Sequence, residues 1–284
     1  MKPTAKKFLV NVLILPAAFL LAFGARILSL AILGALFKAW NLTDATFAYA
    51  PVWAQRIASM AGNIADVSFL VFLTLPLFVY CGKRSLRFQK SFLRYPLFGI
   101  LLSFLTVGVF LLFKSVRMPK IRVFPFLGAS VLFALTDLLS VSACAYLARQ
   151  IPGKIIKNSA SLRLVLSILL QTIFWILSKS SVSVPLIINA GLSGVLLFFL
   201  NQKTESMLPE IFLVFSFRFA TRFLFGFPDL GGAYPVSEHW LTGAANGVSH
   251  SLLLSLYLFA ILIVILIGAF RARTKQKGES HVSQ

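Results

Sequence analysis

Asp137 lies in a long apolar run, eleven residues before the run ends at Ala148. On a helix that is ~16 Å from the run's end at 1.5 Å per residue. Arg218 lies in a later apolar run, nine residues beyond Pro209 and so ~13 Å along it, and Arg222 follows one turn further on the same face. Ionisable side chains within apolar spans are costly to place in hydrocarbon and are functional candidates for that reason. An acid and a base at similar depth can pair, and the acid can also serve as a general base. Gln171, Asn189, Asn63 and Asp66 are further polar residues within or at the edge of apolar runs. Two readings follow. The set is either a substrate or catalytic site, or a buried ion pair with hydrogen-bonding amides that joins helices.

The histidines add little chemistry. His239 and His250 flank the start of the last apolar run, eleven residues apart, with Glu238 beside the first. Two ligands on one helix face are spaced by three or four residues, so no metal site is expected. Cys81 and Cys144 form neither a disulfide framework nor a zinc set and read as reduced structural thiols. No phosphate-binding glycine loop or nucleophile elbow is present, and no cofactor is expected. Asn41-Leu-Thr43 is a formal glycosylation sequon, a pattern that also occurs by chance.

The elements that must position these residues are membrane spans. Of 284 residues, 58% are hydrophobic and 12% charged, where a soluble domain carries roughly 25% charged residues. That leaves too little polar surface for water, and the apolar residues must face lipid. The apolar runs cover roughly residues 8–37, 59–80, 95–113, 123–148, 163–178, 182–201, 209–226 and 247–270. The first follows Lys2, Lys6 and Lys7 and runs on past Arg26, so it reads as an uncleaved helix rather than a signal peptide. The fifth and seventh runs are short for a crossing and could be tilted or covered by neighbours. The expected fold is all-α, a polytopic transmembrane helix bundle of about eight spans, forming one membrane domain over 1–284.

Charge sets the orientation. The net charge of +19 comes from basic clusters between apolar runs, as a topology signal rather than a nucleic-acid surface. Basic residues in loops 82–94 and 149–163, the N-terminus and the tail 271–284 place those segments in the cytoplasm. Loop 227–246 has no Lys or Arg and belongs outside. Both termini are then cytoplasmic. Loop 114–122, with Lys114, Arg117, Lys120 and Arg122, breaks the pattern unless the run 95–113 is re-entrant. The expected location is a cell membrane, the bacterial inner membrane by this pattern, with the lipid bilayer as a constant partner.

Residues 136–223 resemble the CPBP family, the CAAX-protease and bacteriocin-processing intramembrane endopeptidases. Thr136-Asp137-Leu-Leu-Ser-Val141-Ser142, with Tyr146-Leu-Ala-Arg149 after it, stands where the family has Glu-Glu-x-x-x-Arg-Gly and a basic helix end. Gln171-Thr-Ile-Phe174-Trp-Ile-Leu-Ser178 stands at its Phe-x-x-x-His. Asn189-Ala-Gly-Leu-Ser-Gly194 and Lys203-Thr-Glu-Ser-Met-Leu-Pro209-Glu-Ile resemble the lead into its His-x-x-x-Asn, which falls on Val214 and Arg218. The resemblance implies the family's helix arrangement over about 123–226, with Asp137 facing Arg218 in the core. It does not carry the chemistry, which needs a general base and a carbonyl-polarising group. The first glutamate is Thr136, the motif arginine is Val141, and the histidines are Ser178 and Val214.

The expected function is therefore that of a non-proteolytic member, which scaffolds or binds membrane proteins or a lipid-linked ligand. A residual membrane hydrolase using Asp137 is one alternative. A small transporter or transporter subunit, with Asp137, Arg218 and Arg222 lining a path, is another.

Overall fold

The computed structural model describes residues 3–42, 49–82, 86, 92–112, 127–156, 158–177, 182–221, 251–265 and 267. Its elements are helices: α1 (Pro3–Ala39), α2 (Val52–Cys81), α3 (Arg94–Leu112), α4 (Leu127–Ala145), α5 (Ile151–Ile155), α6 (Ala160–Leu177), α7 (Val184–Thr204), α8 (Leu208–Phe219) and α9 (Leu252–Ile265). Among the described residues there is no strand. Local chemistry marks several helix starts. Ser183 caps α7 by accepting the Leu186 N–H, and Pro185 occupies the first turn, where its missing N–H costs nothing.

Five stretches are long and apolar enough to cross a membrane: Leu13–Ala39, Met60–Cys81, Val131–Ile155, Ala160–Leu177 and Val184–Thr204. Arg94–Val109 and Leu252–Ile265 are shorter apolar helices. Large apolar side chains point outward along these helices, with Leu20 74% exposed, Val79 72% and Val264 69%. Such a surface is stable only against hydrocarbon. The chain is an integral membrane protein.

Contacts between helices fix their directions. α1 and α2 form a hairpin: Trp40 meets Trp53 at its closed end, Arg26 meets Asp66 midway, and Phe19 meets Phe69. Lys154 of α5 donates to the Tyr80 carbonyl at the end of α2, its Nζ 4.1 Å from the Tyr80 ring centre. α3 runs parallel to α8, since Phe92 stacks edge-on against Phe212 and Gly99 abuts Leu213 and Ser216. The start of α1, the end of α2, the starts of α3 and α8 and the end of α5 therefore share one end of the bundle. α9 begins at the other end, where Ser251 and Ser255 bond Asn189 in the first half of α7.

The fourth helix departs from its expected limits. The apolar run stops at Ala148, yet the helix continues through a π turn at Tyr146–Gln150 and on to Ile155. Pro152 is the local cause. It has no N–H for the Ala148 carbonyl four residues back, and the chain widens, with the Ile151 N–H bonding the Tyr146 carbonyl. Arg149 and Lys154, expected in a loop, are thus helical. The seventh run is seen as α8, twelve residues. Arg222, His239, His250 and Ser178, the loops 114–122 and 227–246 and the tail 271–284 lie outside the described residues.

Candidate functional site

The π turn turns Arg149 into the protein interior. Its guanidinium Nη2 lies 3.3 Å from Glu210 Oε1 on α8, with the two side chains 1% and 3% exposed. The same nitrogen donates to Gln171 Oε1 on α6, and Nη1 reaches Ser167 Oγ at 3.4 Å. Ser167 Oγ donates to the Ala148 carbonyl, the acceptor that Pro152 leaves without a helical partner. Gln171 continues the network into α7, its Nε2 donating to Ser193 Oγ at 2.8 Å and to the Ala190 carbonyl at 3.3 Å. Gly194 lets α6 approach: a Cβ there would stand 3.4 Å from Ile168 Cα and 3.6 Å from Gln171 Oε1.

Glu210 is held by a tight connection between α7 and α8. Glu205 takes a left-handed conformation at φ 52° and ends α7. Thr204 Oγ1 and Asn201 Nδ2 both donate to the Ser206 carbonyl, and Ser206 Oγ accepts the Leu208 N–H. Pro209 and Glu210 follow in the first turn, where an acidic residue favours the helix dipole. The turn thereby fixes the carboxylate opposite Arg149.

A second group lies along α4 and α8. Cys144 is buried on α4, facing the side of the bundle where Trp175 of α6 lies. Arg218 lies over the same Trp175, its guanidinium carbon 5.5 Å from the ring centre, a cation–π geometry. Asp137 is buried at 6% exposure, four residues beyond Phe133 on α4, and is engaged in an interaction of its own.

The candidate residues are thus partly assembled. Gln171 is at the centre of the junction, and Arg218 reaches α6 from α8. Among the described residues Arg26–Asp66 and Arg149–Glu210 form ion pairs, and Asp137 and Arg218 are both placed on helices that pack together, α4 and α8. Asn189 joins α7 to α9, accepting from Ser255 Oγ at 2.7 Å and donating to the Ser251 carbonyl at 2.9 Å. The residues missed by sequence reasoning are Arg149, counted in the basic loop 149–163, and Glu210, which falls in the stretch leading into the last motif without a role of its own. The sign that could have found them is Pro152 three residues after Arg149, which argues for a distorted helix rather than a loop.

The chemistry open to this junction is narrow. Arg149 neutralises Glu210, Gln171 is bonded at both ends of its amide, and the Ser167 hydroxyl is given to a carbonyl. A serine nucleophile needs an adjacent base, and the nearest charged group is a guanidinium. Among the described residues no group of three or more His, Cys, Asp or Glu could hold a metal ion. Glu210 Oε2 and Arg149 Nε are buried without a hydrogen-bond partner among the described residues. Both are points where a buried water would bond. Set against protein-family models, curated proteins and solved structures, the chain matches none.

Proposed function

We propose that the chain is a multi-pass, non-proteolytic membrane protein that scaffolds or binds membrane partners, built on a CPBP-like helix arrangement. The observation that carries this reading is the Arg149–Glu210 pair, closed by Gln171 and Ser167 where α4, α6, α7 and α8 meet. A protease core needs a water, a base and a polarising group with free valences. Here Arg149, Glu210, Gln171 and Ser167 bond one another across the helices and act as a fastening, with Glu210 Oε2 and Arg149 Nε left as the buried atoms that can take a water. Two features agree with the helix arrangement of the resembled family. The segments carrying its motif positions are brought together, Arg149 to Gln171 and Arg218 to Trp175. At those positions stand groups unfit for water activation. Val141 is buried among apolar side chains, Val214 packs against them, and the Thr136 hydroxyl bonds back to the Leu132 carbonyl.

The topology proposed is one membrane domain with eight crossings and both termini cytoplasmic. Its support is that α2 and α5 end at the same end of the bundle. A helix that leaves this end and a following helix that returns to it support a traversing α3 over a re-entrant one. Lys6, Lys7, Arg94, Lys154, Arg163 and Lys203 belong to that end, against Lys38 and Arg56 at the other, which the positive-inside rule assigns to the cytoplasm. Trp40 and Trp53 then lie at the outer interface, where indole rings concentrate.

The test is a proteolysis assay on purified protein in lipid nanodiscs, with prenylated and unprenylated peptides, with and without divalent metal. No cleavage is expected. A metal-dependent cleavage abolished by Asp137→Ala would overturn the reading in favour of a hydrolase, and solute flux in sealed vesicles would overturn it in favour of a transporter.

A further inference from the structure

The α1–α2 hairpin carries an ion pair in an unusual place. Arg26 Nη2 lies 3.0 Å from Asp66 Oδ1, and both side chains are close to half exposed, at 44% and 46%. Along their helices these residues stand fourteen and thirteen positions from Trp40 and Trp53, ~20 Å at 1.5 Å per residue. With the two tryptophans at an interface, the pair sits about two-thirds of the way across a ~30 Å hydrocarbon layer, still ~10 Å from its far side. Charged residues at that depth face a bundle interior or a water-filled space, because lipid offers them no hydrogen bonds. Among the described residues nothing covers this pair. Around it the surface is apolar or bare: Phe23 and Ile27 are 49% and 66% exposed, and a Cβ at Gly62, one turn from Asp66, would meet open space. Beside it Ser29 Oγ donates to Ser68 Oγ at 2.8 Å, so the neighbouring hydroxyls are already used.

We infer that this face is the interface between two copies of the chain, with Arg26 of each set against Asp66 of the other. The charge of the face decides the occupant. One cation and one anion leave no net charge to draw a partner helix bearing a single charge. The same patch turned by a two-fold axis presents each charge with a second opposite one, which is the self-complementarity of an isologous interface. Gly62 lets the second backbone come near. Each charge then has two counter-charges and is shielded from lipid by the other copy. The interface uses helices apart from the Arg149 junction and does not depend on how that junction is read.

Reconstitution at low density in lipid vesicles, with fluorophore-labelled protein counted by single-molecule photobleaching, tests this directly. Wild-type protein is expected to pair. Arg26→Asp and Asp66→Arg, each alone, are expected to lose pairing by roughly ten-fold or more. Mixed together, those two variants should pair with each other, and the chain carrying both substitutions should pair with itself. Should the single variants fail to fold, Gly62→Cys in a chain with Cys81→Ala and Cys144→Ala keeps the test open, with a disulfide-linked dimer expected on oxidation. Wild-type protein that stays monomeric, pairing untouched by Arg26→Asp, or association only with a different membrane protein would each overturn the proposal. None of these results bears on proteolysis, so the two readings fail separately.

Discussion

Replacing Arg149 by methionine isolates what the buried junction contributes. In Arg149→Met, the Glu210 carboxyl loses its counter-charge in a site where the side chain is 3% exposed and Oε2 already has no hydrogen-bond partner among the described residues. Breaking a buried pair by removing one partner costs about 3–5 kcal/mol, mostly the desolvation of the charge left behind. Gln171 Oε1 also loses its donor, but the Ser167 hydroxyl does not lose its acceptor, because it donates to the Ala148 carbonyl. The expected loss is therefore near the middle of that range, about 4 kcal/mol. Glu210→Met strands Arg149, which still donates to Gln171 and Ser167, so its cost should be smaller, about 3 kcal/mol. In the double variant both charges are gone and the two thioether side chains can fill much of the space. Such replacements of buried ion pairs are often neutral or stabilising, so the double variant should lie within about 2 kcal/mol of wild type. The coupling between the two sites is then several kcal/mol, far outside the additive limit. Equilibrium unfolding in mixed micelles, followed by helical circular dichroism, reads all three variants. Single variants within about 1 kcal/mol of wild type, or a double variant whose loss equals the sum of the two, would refute the reasoning.

Other positions give independent outcomes. Gly99→Ala should destabilise by about 1–3 kcal/mol, because the new methyl would overlap both Ser216 Oγ and the Leu213 carbonyl oxygen of α8; adding Ser216→Ala should rescue little, since the carbonyl is backbone, and full rescue in a thermal melt would contradict this. Asn189→Leu should cost about 1–3 kcal/mol by removing the two hydrogen bonds that tie the Ser255 hydroxyl and the Ser251 carbonyl to α7, and loosening of α9 should appear as faster hydrogen exchange at 252–265. A single cysteine at Ile156 should label only from the cytoplasmic face and one at Tyr49 only from the outer face, with Cys81 and Cys144 replaced; labelling of both from one face would overturn the eight-crossing topology.

The helical, membrane-embedded character was legible because it rests on summed hydropathy, which no tertiary contact can reverse. The limits of α1, α3 and α7 follow the apolar runs closely for the same reason. The fourth span was misjudged at its end because a basic residue after an apolar run signals a loop only when it faces water. Arg149 is helical because the chain stays helical past Pro152 and because Glu210, sixty-one residues further on, stands opposite it. Nothing local to Arg149 specifies that partner. Depth along a helix gave one coordinate for pairing, and it singled out Asp137 and Arg218. Pairing also needs rotation about each helix axis and the relative shift of the helices, which are set by packing such as the Gly99 contact between α3 and α8. Gln171 was found because a buried amide in an apolar run has few roles, and joining helices is one of them. Glu210 was not, because an acid in a first turn is already explained by the helix dipole. The two explanations are compatible. The dipole favours the carboxylate at the start of α8, and Arg149 supplies the counter-charge that lets that helix start be buried.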